Sequence, residues 1–232
     1  MHPNTIPDDA AQRILRRRGR LNAYDALDPT RTALIVVDMQ VAFLEGGDME
    51  IAFAREIVPT INRLADGLRN LGGFVTWAKM TRSPANPWPA FYEHVLAPDV
   101  AARTADDLEE AGPRHALWRE LNVRPEDFVF NKNRFSVFAR GSSGLEPILR
   151  AKQIENLLVC GTLTNVCVES TARDAMQLGY KTVIVSDACA TRSDAEHLGT
   201  LVTFLTSFGD VRTAKETLAL LGSGARDIRA AQ

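Results

Sequence analysis

The chain has few of the side chains that usually carry covalent or metal chemistry: 232 residues hold three cysteines and four histidines. An odd number of widely spaced cysteines excludes a disulfide framework, and no C-x-x-C pair offers a metal site, so reduced thiols are expected. No run of 18 apolar residues is present, which argues against a membrane-spanning helix. The N-terminus is polar, acidic at Asp8 and Asp9, and lacks the apolar core of a secretory leader; a cytoplasmic location is the expectation. Cationic excess is also missing, with 27 Lys and Arg against 29 Asp and Glu and a net charge of −2. Without a strong positive field, neither nucleic acid nor an anionic membrane is an expected partner. The single basic run, Arg16 to Arg18 with Arg20, reads as the solvated face of a short N-terminal helix.

Hydrophobic residues at 45% and charged residues at 24% describe an ordinary folded domain. Short apolar, β-branched runs at Thr32–Val37, Phe74–Ala78, Phe128–Phe130, Leu157–Cys160 and Thr182–Val185 read as strands, with Val211 in a candidate sixth. Between them lie stretches of helical periodicity. Ile57, Ile61, Leu64 and Leu68 share one helix face that stops at Gly72-Gly73, and Ser143-x-x-Glu146 and Ser193-x-x-Glu196 read as capping boxes. Near-continuously apolar strands alternating with helices predict an α/β fold around a mainly parallel sheet covered on both faces. Residues 1–31 form an N-terminal extension, 32–222 the domain and 223–232 a C-terminal tail. Residues 80–112, carrying Pro84, Pro87, Pro89 and Pro98, read as a long loop or short helical insertion.

Cys167 lies in GTLTNVCVE, just past the Leu157–Cys160 strand and in the first turn of the helix that Gly179 ends. Unpaired N–H groups and the positive end of the helix dipole are expected there to favour the thiolate, and ligands collect at the carboxyl ends of strands in open α/β sheets. Cys160 and Cys189 read as small buried hydrophobes. None of the four histidines, His2, His94, His115 and His197, sits at the carboxyl end of a predicted strand, and each reads as structural or surface. Asp38 closes LIVVD, Lys132 follows FVF, and Asp187 closes TVIVSD, where it reads as a helix cap.

Asp38 in IVVDMQVAF, Lys132 in NKNRFSVF and Cys167 in GTLTNVCVESTARDA together resemble the isochorismatase-like cysteine hydrolases over residues 30 to 215. The resemblance implies a three-layer αβα fold with a six-stranded parallel sheet and an Asp38-Lys132-Cys167 triad. In that triad Asp38 is the general base and Lys132 holds the thiolate and carboxylate in register. It further implies a cis peptide at Leu163-Thr164, an oxyanion hole from the backbone N–H groups of Leu163 and Cys167, and a homodimer or homotetramer.

Within that family, nicotinamidases carry an Asp-x-His metal motif. The corresponding stretch here, KMTRSPANPWPAFYEH, offers only His94, so neither a metal nor any other cofactor is expected. A nucleophilic cysteine favours amide hydrolysis, with nicotinamidase or isochorismatase activity the alternative within the family, and NVCVEST most resembles ureidoacrylate and N-carbamoyl amidohydrolases. The expected partner is therefore a small amide or ureide. Candidate polar contacts are Gln40, Asn86, Asn133, Thr164 and Asn165; candidate walls are Phe43, Trp88, Phe135 and Phe138; Arg82 and Arg134 are candidates for a substrate carboxylate. Two readings from other classes stand beside this one. They are a thiol-redox protein with Cys189 resolving Cys167, and a non-catalytic α/β interaction protein.

Overall fold

Six parallel strands run through the centre of the molecule in the spatial order β3-β2-β1-β4-β5-β6. They are β1 Thr32–Val37, β2 Phe74–Met80, β3 Phe128–Lys132, β4 Asn156–Thr162, β5 Lys181–Ala190 and β6 Asp210–Arg212. The computed structural model describes residues 1–230, with side chains through Arg226. Every residue of β1 and β4 is buried, the pattern of central strands covered on both faces. The helices are α1 Asp8–Arg18, α2 Val41–Leu44, α3 Val58–Asn70, α4 Pro89–Tyr92, α5 Pro98–Asp107, α6 Leu145–Ala151, α7 Glu169–Gln177, α8 Asp194–Ser207 and α9 Ala214–Ala230. Helix α3 packs with α9, and α7 packs with α8, outside which α1 lies. The expected face of α3 is the buried one: Ile61, Leu64 and Leu68 are wholly enclosed, and Ile57 nearly so in the turn before it.

The strands run further than their apolar cores suggest. β5 does not stop at Val185 but continues to Ala190, because the β4 register jumps: Val159 pairs with Ile184, whereas Gly161 pairs with Cys189. Gly161 permits this, since its φ is +111° and a Cβ there would collide with the Val37 backbone nitrogen and carbonyl oxygen. The expected tail at 223–232 is not a tail as far as residue 230, because α9 continues to Ala230; residues 231–232 lie outside those described. Asp187 caps that helix, its Oδ1 accepting the Ala214 N–H at 2.7 Å. Half of the Ser193 box forms: Oγ accepts the Glu196 N–H, while the Glu196 carboxylate accepts the Ser193 hydroxyl rather than its backbone N–H. Ser143 instead donates to the Val137 carbonyl while Glu146 pairs with Arg150, so α6 starts at Leu145 with Gly144 at its cap.

The N-terminal extension is docked on the domain. Arg17 donates to the Thr206 carbonyl at 3.0 Å and Arg18 to that of Leu205, so two members of the basic run satisfy the C-terminal end of α8. His2, one of the histidines read as structural or surface, is buried. Among the described residues no helix is long and apolar enough to cross a membrane.

Candidate active site

The chain enters the sheet at β1, moves outward to β3, then crosses back to β4 on the other side of β1. That reversal opens a crevice at the carboxyl ends of β1 and β4, the place where open α/β sheets collect ligands. Asp38 follows β1 and Cys167 follows β4. Asp38 is a non-glycine residue at φ +52°, which breaks the strand's alternation and aims its carboxyl group inward. Its N–H donates to the Ala78 carbonyl at 3.0 Å, and its own carbonyl accepts the Thr162 hydroxyl at 2.9 Å, so the turn is fixed from both neighbouring strands.

Lys132 ends β3, two strands away. Its register partner on β2 is Met80, and its side chain reaches over that residue: Nζ lies 3.4 Å from Met80 Sδ, 3.1 Å from the Arg134 carbonyl and 2.8 Å from Asp38 Oδ2. Both charged side chains are completely buried. Cys167 is 3% exposed, and its thiol lies near enough to the Asp38–Lys132 pair for the carboxylate and the ammonium each to act on its ionisation. Apart from the Lys132 ion pair, neither Asp38 oxygen has a hydrogen-bond partner among the described residues.

Burial pushes the Asp38 carboxyl above its ordinary range, and Lys132 and Cys167 pull it back only in part. Burial also opposes charge on Lys132, but the Asp38 carboxylate and Cys167 outweigh it and hold the ammonium above its usual value. The Cys167 thiol is raised, first by burial and then by the Asp38 charge, against the lowering influence of Lys132. Here the expectation of a lowered thiol is corrected: desolvation outweighs the nearby cation. The resting arrangement is a carboxylate–ammonium ion pair beside a neutral thiol, a coupled group that titrates as one unit.

Cys167 sits in a π-turn, Thr164–Val168, that leads into α7. The Leu163 carbonyl accepts the N–H groups of Val166 and Val168, both at 3.1 Å, and passes over that of Cys167. No acceptor takes the Leu163 N–H among the described residues. The cis peptide is at Thr162-Leu163, one bond earlier than expected. The Leu163-Thr164 bond has the ordinary trans form, and the Leu163 carbonyl faces those two donors.

A cavity of about 240 Å³ ends on Cys167, Leu163 and Met80 and is walled by Phe43, Phe91 and Phe135. Among the candidate walls, Phe43 and Phe135 therefore line it. Trp88 stands behind them, 4.8 Å from Phe91 and 4.7 Å from Phe135 between ring centroids. Phe138 faces elsewhere, stacked on Tyr180 at 6.0 Å. Gln40 is spent on structure: its amide donates to the Met80 and His115 carbonyls and its oxygen accepts the Met80 N–H, which ties α2 to β2. Asn86, Asn133, Arg82 and Arg134 line a separate polar cavity of about 270 Å³. Arg134 there is occupied by the Asn133, Asn86 and Pro87 carbonyls, and Arg82 by Glu109. Thr164 and Asn165 turn away from the catalytic cavity, toward His197 and Thr191.

Most of the cavity lining escaped the sequence reading, Phe91 and Arg192 among it. Phe91 belongs to the insertion, and Arg192 lies two residues beyond the true end of β5. Arg192 stands at the cavity mouth with no carboxylate partner among the described residues, since neighbouring Asp48 is held by Arg103 at 2.7 Å. Carboxyl-end position, the signal that singled out Asp38, would have found Arg192 had the length of β5 been known. Cys189 is enclosed, its thiol directed at the Val185 carbonyl.

Known proteins resemble this chain in sequence and in fold. Residues 32–216 match the isochorismatase domain family model. An isochorismatase family protein of Bacillus subtilis, YwoC, is 30% identical over 198 residues, covering 83% of this chain and 95% of its own. Ureidoacrylate amidohydrolase RutB of Rhizobium rhizogenes is 32% identical over 194 residues, covering 75% and 73%. The crystal structure of a cysteine hydrolase from Pseudomonas syringae pv. phaseolicola superposes with a TM-score of 0.77 at 27% identity, covering 88% of this chain and 98% of that one.

Proposed function

This chain belongs to the isochorismatase family, and from that premise we propose that it is a cysteine-dependent amidohydrolase acting on the linear C–N bond of a small ureido, carbamoyl or primary amide substrate. The reading rests on one observation: the Cys167 thiol lines a single cavity and lies beside the buried Asp38–Lys132 ion pair, whose charges act on its ionisation.

The raised thiol makes a free thiolate costly, so ionisation is coupled to attack. As the Cys167 sulfur bonds to the carbonyl carbon, its proton passes to Asp38, already inclined by burial to accept one. Lys132 keeps its charge throughout and balances whichever of sulfur and carboxylate is negative. The N–H groups of Leu163 and Cys167 are the donors for the developing oxyanion. The C–N bond then breaks, ammonia leaves with the proton held by Asp38, and a thioester remains. Water gives a proton to Asp38 as it adds to the thioester. The thiol departs with that proton, and the acid is released, a carbamate in the case of a ureido substrate.

Arg192 lines that cavity with no carboxylate partner among the described residues, its guanidinium donating only to the Asp48 carbonyl at 3.3 Å, and it suits a substrate that carries a carboxylate beyond its amide, as the substrate named for RutB does. The aromatic walls suit a planar group between the two ends. Ammonia release from a panel of ureido acids, N-carbamoyl amino acids and primary amides tests the reading. Turnover is expected in the wild type and none in Cys167→Ala, whose fold should survive the loss of one small side chain. A fully active Cys167→Ala protein eliminates the proposal.

A further inference from the structure

Behind the nucleophile turn lies a buried polar cluster that the chemistry above does not use, and part of it comes from outside the family domain. His197, on α8, is wholly enclosed. Its Nδ1 lies 2.9 Å from the Thr164 hydroxyl and its Nε2 lies 3.2 Å from Asn4 Oδ1. An amide oxygen only accepts, so Nε2 carries the proton and Nδ1 is left to accept from Thr164.

His2 stacks on His197 with ring centroids 4.7 Å apart and its edge meets Phe53 at 4.6 Å. Its Nδ1 lies 2.7 Å from an Asp194 carboxylate oxygen, which likewise only accepts. Its Nε2 is therefore free to accept the Thr191 N–H at 3.1 Å. Thr191 in turn donates its hydroxyl to Asn165 at 2.5 Å.

Thr164 and Asn165 are the first two residues of the turn that carries Cys167 and follows Leu163. Each is held from behind by its own arm: Thr164 through His197 to Asn4, Asn165 through Thr191 to His2. Nothing else among the described side chains bonds either of them. Residues 2 and 4 precede the family-matched region, which begins at residue 32.

We propose that the N-terminal segment is a positioning element of the active site. Through His197 and Thr191 it locks Thr164 and Asn165, and so fixes the Leu163 and Cys167 N–H groups and the nucleophile itself. None of these side chains touches the cavity. Their contribution is to the order of the turn, and it therefore falls on the rate of the bound complex rather than on substrate affinity. The proposal rests on the amidohydrolase reading for its effect on rate, and on the hydrogen bonds alone for its effect on the turn.

Hydrogen exchange of residues 163–169 and steady-state kinetics are measured for wild type, His197→Phe, Asn4→Ala, Thr164→Val and Thr164→Ser. Asn4 is half-exposed and Thr164→Val nearly isosteric, so these variants report even if His197→Phe fails to fold. The result expected is exchange across 164–168 accelerated about tenfold or more in Asn4→Ala and Thr164→Val, the factor that loss of one buried hydrogen bond brings. The kcat should fall by a similar factor with KM within about twofold, and Thr164→Ser, which keeps the hydroxyl, should restore both. Unchanged exchange in the folded variants overturns the proposal, as does a kcat that stays at the wild-type value. If the wild type hydrolyses no amide, the amidohydrolase reading fails, and the exchange data alone then decide whether the segment orders the turn.

Discussion

Lys132 Nζ lies 2.8 Å from Asp38 Oδ2 across the whole width of β2, with neither side chain reaching solvent. A buried ion pair held this way is costly to break from one side, because the survivor keeps its charge without its partner. Lys132→Met should therefore destabilise the protein by about 3–5 kcal/mol in urea unfolding, while the double change Asp38→Asn with Lys132→Met should regain most of that loss. Activity should fall at least about a hundredfold in both proteins. Equal stability of Lys132→Met and wild type would show that the pair does not carry its burial.

His197 gives the protein an acid limb. Burial, and then His2, lower its pKa from 6.5 to about 4. A histidine depressed on folding takes its proton first in the unfolded chain, so its contribution to stability is fully present above pH 6.5 and is lost as pH falls towards 4. The difference amounts to about 3 kcal/mol at most. Tm measured between pH 7 and pH 4 should drop more steeply for wild type than for His197→Phe, which has no proton to bind. Parallel curves would contradict the assignment.

Arg192 should separate substrates. Arg192→Ala is expected to raise KM roughly tenfold or more for a ureido acid, as loss of one charge-assisted hydrogen bond does, with kcat within about twofold. A neutral primary amide should be unaffected by the same change. An equal effect on both substrates would place the substrate's anionic end elsewhere.

Gly161 and Gly179 both have positive φ, at +111° and +97°, but only Gly161 is crowded; a Cβ at Gly179 meets nothing within 4 Å. Gly179→Ala should cost about 1 kcal/mol of backbone strain, whereas Gly161→Ala should cost at least about 3 kcal/mol. Chemical denaturation of the two variants distinguishes crowding from strain.

The course of the strands shows where local reading stops. β1 is continuously apolar from Thr32 to Val37 and ends at a charge, so its limits and the prominence of Asp38 were visible in sequence. β5 turns polar at Ser186-Asp187 yet continues to Ala190, because β4 shifts register around Gly161, and a register exists only between two strands. Arg192 was hidden behind that continuation. The substrate contacts were misplaced for a related reason. Gln40 sits beside Asp38 in sequence, but its amide meets three backbone groups of β2 and the segment before Leu117. Similarly, the burial of His2 became visible only once the segment before α1 docked on the start of α8, against Phe53, Thr191 and His197.

The sequence by itself determined the alternation of strands and helices, the parallel sheet and the location of Cys167 at a strand-to-helix junction, because these follow from periodicity and from caps only a few residues apart. Tertiary structure alone decided that Lys132 reaches Asp38, that burial raises the thiol instead of the helix terminus lowering it, and which aromatic rings face the cavity. Those outcomes depend on distance and desolvation between segments far apart in the chain, quantities that no local pattern of residues encodes.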